Sequence, residues 1–343
     1  MEASAPEHTP IGRVIGVSVG LAVIVGVITL AFAWPSADMG PNEIPIAVVG
    51  PDEVAEQVQG QLDEAQPDGF DAAAAADADE AATLIEEREV YAALAVAPEG
   101  VTVYTASAAS PTVARLITGI AEQVAAQMGQ AAGEPGSVQV TVEDLVALPA
   151  DDPNGAGLAA SALPLAMGGI VVAALIGLTI RGTGRQVVAA VLAPPAVGAA
   201  VAAVLLYVLE SLDGDFLPIA GALALAMAAS SWSILGLVKL LGRAGLAVGA
   251  VIVMLIGNPL SGMTSAPEML PAPWGGFGQF LTPGAGGTLL RSTAYFDGNG
   301  AATAVWVLGA WLAAGAVLFV LGAVRAKVKG VGVEEREKAE VAA

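Results

Sequence analysis

Cysteine is absent from all 343 residues, which excludes a disulfide framework, a thiolate metal site and a lipidated cysteine. Histidine occurs once, at His8, so a hydrolytic Ser-His-Asp arrangement has no base in the rest of the chain. No glycine-rich loop ending in Lys-Ser/Thr is present, and the chain therefore supplies no P-loop nucleotide site of its own. Charge is also scarce: 13% of residues are Asp, Glu, Lys or Arg, against 55% hydrophobic. That balance excludes a soluble domain of this length and points to a polytopic membrane protein.

Six apolar runs are present, at residues 11–34, 158–180, 187–209, 216–237, 244–263 and 301–324. Each has about the 20 residues needed to cross roughly 30 Å of hydrocarbon as a helix. None carries Lys, Arg, Asp or Glu in its middle. Buried ionisable groups mark ion pathways and proton relays, so an ion-driven pump or selective channel is disfavoured. A cargo, if there is one, is apolar or amphipathic.

The charge that exists is segregated. Between Pro35 and Gly157 there are 22 acidic residues and two basic ones, Arg88 and Arg115, so this stretch accounts for the whole net charge of -20. An acidic surface of this kind disfavours nucleic acid and anionic headgroups as partners. The basic residues flank the apolar runs on alternate sides: Arg13, then Arg181 and Arg185, then Lys239 and Arg243, then Arg325, Lys327, Lys329, Arg336 and Lys338. The positive-inside rule then puts both termini in the cytoplasm and the acidic domain outside. Ala31-Phe32-Ala33 resembles a signal-peptide cleavage site, but the apolar core before it exceeds the usual length, so an uncleaved anchor is expected. An outside domain without disulfides fits a bacterial plasma membrane.

The predicted fold class is an α-helical polytopic membrane protein with six transmembrane helices and an extracytoplasmic α/β domain between the first and second. The divisions are a tail at 1–10, a first span at 11–34, the acidic domain at 35–157, a five-helix bundle at 158–325 and a tail at 326–343. Within the domain, the pattern predicts strands at 44–49, 91–96, 101–105 and 138–142, with a Pro98-Glu99-Gly100 turn joining the middle two. Helices are predicted at 52–65, at 77–88, and from an Ser110 N-cap and Pro111 to about 130. The alanine-rich tract 72–82 reads as a mobile loop. The carboxylates Asp52-Glu53, Asp77-Asp79-Glu80 and Asp151-Asp152 lack EF-hand spacing and read as solvated surface. Neither catalysis nor a cofactor is expected.

Small residues recur at four-residue spacing: Gly12, Gly16 and Gly20; Gly169, Ala173 and Gly177; Gly245 and Gly249. Such rows let helices approach closely where lipid gives no hydrophobic drive, which predicts a tight bundle or a dimer. Pro194-Pro195 and Ser230-Ser231-Trp232 are candidates to kink or hydrate the bundle. The 264–300 segment is broken by proline and glycine and carries Pro267, Glu268, Pro271, Trp274, Pro283 and Arg291. Its amphipathic, aromatic pieces suit an interfacial or re-entrant path beside substrate, with Arg291 placed to meet a headgroup or a carboxylate.

One span, a domain, then five spans with a broken segment before the last resembles the membrane subunits of type-2 ABC exporters and the related YhgE/Pip-like membrane proteins. The local matches are the strand Pro45-Ile46-Ala47-Val48-Val49, the segment from Glu89 to Gly100, and Asn258-Pro259-Leu260-Ser261-Gly262 with the later Pro267-Glu268-Met269-Leu270-Pro271, Pro283 and Arg291. The resemblance implies a homodimer or heterodimer with membrane lipid around it and a separate cytoplasmic ATPase. It implies that Arg181 and Arg185, in the loop between the second and third spans, contact that ATPase. The Pip-like relatives imply a second reading, a membrane scaffold or surface receptor whose outside domain binds another protein.

Overall fold

The computed structural model describes residues 9–97, 100–134 and 136–342; His8, most of the predicted N-terminal tail and the Pro98-Glu99 part of the predicted turn lie outside them. A long helix α1 (Ile11–Ala37) leads into an α/β unit. The unit comprises β1 (Ile44–Val49), α2 (Asp52–Ala65), β2 (Phe70–Ala75), α3 (Ala78–Glu86), β3 (Ala92–Ala97), β4 (Gly100–Thr105), α4 (Pro111–Ala131) and β5 (Gln139–Asp144). The five strands form one mixed sheet in the order β2-β1-β3-β4-β5, with only the β3–β4 pair antiparallel. Ile44, Ile46, Val101, Val103, Val113 and Ile117 close the core between the sheet and its helices.

The predicted mobile loop at 72–82 is corrected. Its first part is β2, paired in parallel register with β1 from Ile44↔Phe70 to Val49↔Ala75. Alanine is a poor strand former in isolation, but an edge strand in register beside a buried Val/Ile strand needs only its backbone bonds and a flat, small side-chain face. The acidic pairs have structural work at helix starts. Asp77 accepts from Glu80 N–H at 2.9 Å, and Asp152 accepts from Ala156 and Gly157 N–H, both at 2.7 Å. Asp52 and Glu53 occupy the first turn of α2, where a helix dipole favours negative charge.

The bundle follows as α5 (Ala156–Thr179), α6 (Thr183–Tyr207), α7 (Phe216–Leu241), α8 (Arg243–Ala250), a π-helical stretch Val251–Gly257, α9 (Trp274–Gln279), α10 (Thr282–Tyr295) and α11 (Ala302–Ala342). Among the described residues five helices are long and apolar enough to cross a membrane: α1, α5, α6, α7 and the Ala302–Val328 part of α11. The run predicted as a further span at 244–263 is corrected. It forms eight residues of α-helix and seven of π-helix and stops at Gly257, about 22 Å at 1.5 Å per residue, short of a 30 Å core. Asn258-Pro259 ends it because proline lacks the N–H that a further turn requires.

The centre of the bundle is α7, whose apolar window is 56% buried, against 39% for α5 and 22% for α6 and α11. Glycines on its neighbours allow close approaches. An added Cβ at Gly169 of α5 would stand 2.5 Å from Ser230 Cβ, and one at Gly198 of α6 would stand 2.7 Å from Ala224 N. One at Gly245 of α8 would lie on the Leu237 carbonyl, and one at Gly315 of α11 on the Trp232 carbonyl carbon. The rows at Gly169/Ala173/Gly177 and Gly245/Gly249 are therefore internal contacts. The row on α1 is different: Gly12, Gly16 and Gly20 have no atom within 4 Å of an added Cβ. None of the α1 window is buried although its mean hydropathy is 2.6, so hydrocarbon is the solvent its surface requires.

Candidate functional site

The segment between residues 258 and 301 joins the α/β unit to the bundle, and it does so at both of its ends. After Gly257 the chain turns at Gly262, whose φ of +68° and contact with Pro267 N leave no room for a side chain. Ala266 and Met269 then enter the hydrophobic core of the α/β unit beside Ile44 and Phe70. At the other end Phe296 enters the second core of the same unit, with Ala47, Ile85 and Val90. Between these anchors α10 descends along α7: Pro283 lies against Gly257, and Thr282, Pro283 and Gly286 line a small cavity with Ala226 and Ser230 at mid-α7. The tip of α9–α10 thus reaches half-way along the central helix, while its roots are buried in the α/β unit.

Polar contacts reinforce the upper anchor. Gly40 N–H donates to Met269 O at 3.1 Å and Asn42 N–H to Glu268 O at 2.9 Å. The Asn42 side chain donates to Leu270 O at 3.0 Å. Tyr91 Oη donates to Glu268 Oε2 at 2.6 Å. Arg88 reaches across from the end of α3 and donates to Thr288 O at 3.4 Å and to Ser292 Oγ, while its guanidinium stacks 5.1 Å from the Phe296 ring centroid. Arg88 sits at φ +62°, a left-handed conformation that costs a non-glycine residue on the order of 1 kcal/mol, and Gly300 clears the space beside its Cβ.

Burial lowers the Arg88 pKa from its ordinary value, partly offset by the Tyr91 and Glu268 charges. Burial raises the Tyr91 phenol well above its usual range, and the Glu268 charge and hydrogen bond add to this, against Arg88 and Arg291. Arg291 is 5% exposed; among the described residues its side chain donates one hydrogen bond, Nη2 to Met263 O at 3.0 Å, and its Nε has no partner. The buried side-chain atoms without a partner, Asn258 Oδ1, Thr282 Oγ1 and Arg291 Nε, all fall in this one segment.

The residues singled out in sequence separate into groups. Glu268 sits at this junction, bonded by Tyr91, and Pro267 opens the short 3-10 turn that carries it; Arg291 is anchored on Met263 O. Trp274 lies lower on the exposed face, edge-on to Trp34 of α1 and to Phe277 at 6.0 Å each, with Pro271 O accepting from its N–H. Pro283 is the first-turn proline of α10. Arg181 and Arg185 are exposed on the far end of the bundle, away from the junction, Arg181 in a connection of three residues between α5 and α6 and Arg185 in the first turn of α6. That connection is tied down by Lys239, which donates to Gln186 Oε1 at 2.8 Å and Thr183 Oγ1 at 3.2 Å and stands 5.2 Å from the Phe319 ring centroid. Arg88, Tyr91 and Asn42 escaped sequence reasoning. The usable signal was Arg88, one of two cations among 22 acids.

Among the described residues no group of three or more His, Cys, Asp or Glu side chains is placed to hold a metal ion. Searches of protein-family models, curated proteins and solved structures find no match to this chain.

Proposed function

We propose that the chain is a permease-type membrane subunit that exports a lipophilic or amphipathic compound, powered by a separate cytoplasmic ATPase. The observation that supports this is the mechanical continuity of the 258–301 segment. One piece of chain is rooted in the α/β unit through Met269 and Phe296 and ends beside mid-α7 through Thr282 and Pro283. A change in how α7 packs against α5, α6 and α11 then moves the α/β unit as well, which is the coupling an alternating-access exporter needs. In this reading both termini are cytoplasmic in a bacterial plasma membrane, the α/β unit is outside, and residues 258–266 complete the crossing that the short helix leaves unfinished. Backbone of that irregular kind is tolerated at membrane depth where protein surrounds it.

A second reading, a scaffold or receptor that transports nothing, is favoured by one observation. The connection bearing Arg181 offers an ATPase little to grip, and Lys239 already holds Gln186 beside it. Purification in mild detergent separates the two. A stoichiometric ATPase with substrate-stimulated turnover, lost on reversing Arg181 and Arg185 to Glu, supports export. An ATPase that never co-purifies leaves the scaffold.

A further inference from the structure

The polar stretch in the middle of α7 divides in the structure. Ser231 Oγ turns back to Ala228 O at 3.4 Å, and Ser233 Oγ lies 2.6 Å from Ala229 O and 3.0 Å from Trp311 O. Trp232 Nε1 donates to Ala190 O at 3.0 Å. Ser230 instead lines a cavity of about 20 Å³ where α5, α7 and α10 meet, and among the described residues its hydroxyl makes no such bond. Thr282 lines the same cavity from the first turn of α10. It is 3% exposed, and its Oγ1 is buried without a partner. No side chain caps that turn. An unpaired buried hydroxyl is costly, and native ones are nearly always paired. The rest of the wall is mostly apolar, with Leu165, Leu223, Met227 and Met263 prominent, and none of the lining residues is charged. An ion would therefore find no counter-charge there.

We infer that this cavity is the binding site of one structural water, which joins Thr282 Oγ1 of α10 to Ser230 Oγ of α7. A buried water needs about 10–15 Å³ and roughly two to four polar partners. The cavity has that room, and the two hydroxyls supply two partners, each able to donate and to accept. The thioether sulfurs of Met227 and Met263 add weak acceptors in the same wall. A water bridge is enthalpically nearly as good as a direct hydrogen bond. It ties the buried tip of α10 to the central helix at a place where the two hydroxyls do not meet directly. This inference concerns the resting bundle and does not depend on transport.

The test uses the full chain in maltoside detergent under brief X-ray irradiation, which makes hydroxyl radicals from water wherever it lies. Adjacent thioethers trap them as sulfoxides, which mass spectrometry counts. Met227 and Met263 are 2% and 5% exposed, while Met269, in the hydrophobic core of the α/β unit, is 7% exposed. Radicals from bulk solvent therefore reach Met269 at least as well. The bound water makes sulfoxide form at Met227 and Met263 at least about threefold faster than at Met269; a smaller excess at either one overturns the inference. Thr282→Val keeps the side-chain shape, removes the hydroxyl and brings both rates down to that of Met269. An excess that persists in the variant is also fatal. The same variant gives an independent sign. A dry, unpaired hydroxyl makes valine stabilising, whereas a hydroxyl paired with water makes it destabilising, so the thermal midpoint falls; an unchanged or raised midpoint refutes the site. Where Thr282→Val does not fold, Ser230→Ala replaces it in the rate comparison, with the same expected loss and the same refutation.

Discussion

The Tyr91–Glu268 hydrogen bond spans 177 positions of sequence and ties β3's approach to the broken segment, so its removal measures how firmly the α/β unit is fixed to the bundle. At 2.6 Å, with an ionised acceptor, it belongs to the stronger class of hydrogen bond, contributing about 1.5–3 kcal/mol. Tyr91→Phe keeps the ring and its packing and removes only the donor. Glu268 then retains Coulomb attraction from Arg88 and Arg291, so the expected loss is about 2 kcal/mol, not the full cost of a stranded charge. Glu268→Gln keeps an acceptor but removes that attraction, and costs about as much. Because both changes break the same contact, the double variant is less destabilised than the sum, by about 1.5 kcal/mol. Equilibrium unfolding of the four proteins in mixed micelles of maltoside and dodecyl sulfate provides the cycle. Tryptophan emission is a suitable probe, since Trp34 and Trp274 meet edge-on near the same segment. A coupling below about 0.5 kcal/mol would show that the bond is a surface contact and that the shared hydrophobic cores alone hold the junction.

Three further outcomes follow from the same structure. Gly315→Leu forces α11 off the Trp232 backbone and destabilises the bundle by about 1–3 kcal/mol, whereas Gly16→Leu on α1 leaves the monomer's stability unchanged; equal effects in detergent unfolding would contradict the assigned packing. The folded Tyr91 pKa lies above its ordinary value of 10.0, so its contribution is complete below pH 10 and is lost as pH rises above it, where the unfolded phenol ionises first; Tyr91→Phe flattens the alkaline limb of a stability–pH curve, and an identical limb refutes the assignment. Since the chain has no cysteine, single cysteines at the exposed positions Gln57 and Gly182 can be labelled with an impermeant maleimide; they react from opposite sides of the membrane, and reaction from one side refutes the orientation.

Much of the α/β unit was legible because its signals are local. Ser110 followed by Pro111 announces a helix start, and in the structure Ser110 Oγ accepts from Val113 N–H at 3.2 Å. The apolar run at Ile44–Val49 between Pro and Gly announces a buried strand, which is β1. Where the reading went wrong, the deciding interaction was distant. Phe70–Ala75 is a strand because β1 lies beside it, not because alanine prefers that backbone. Hydropathy counted the stretch 244–263 as one span because it averages over Asn258-Pro259 and is blind to a helix that widens into π turns and stops. The junction was half visible. Glu268 stood out as a charge in an apolar, proline-broken segment, but its partner Tyr91 lies 177 positions away, and Arg88 reaches Thr288 and Ser292 across 200 and 204 positions, beyond any periodicity.

The short helix ending at Gly257 has a consequence for biogenesis. A helix of fifteen residues, Arg243 followed by an apolar run and closed by Asn-Pro, is a poor signal for autonomous insertion, since the insertion machinery favours segments of about 20. Gly245 and Gly249 fit it into a groove on α7. In the proposed membrane topology the helix enters by docking onto α7 once α7 is in the bilayer, so that α7 acts as an internal template for what is synthesised after it. Filling that groove with Gly249→Leu should leave α7 inserted but strand everything beyond residue 257 on the wrong side, which a glycosylation reporter placed after Gly262 would reveal. Normal glycosylation in that variant would show that the helix inserts without its template.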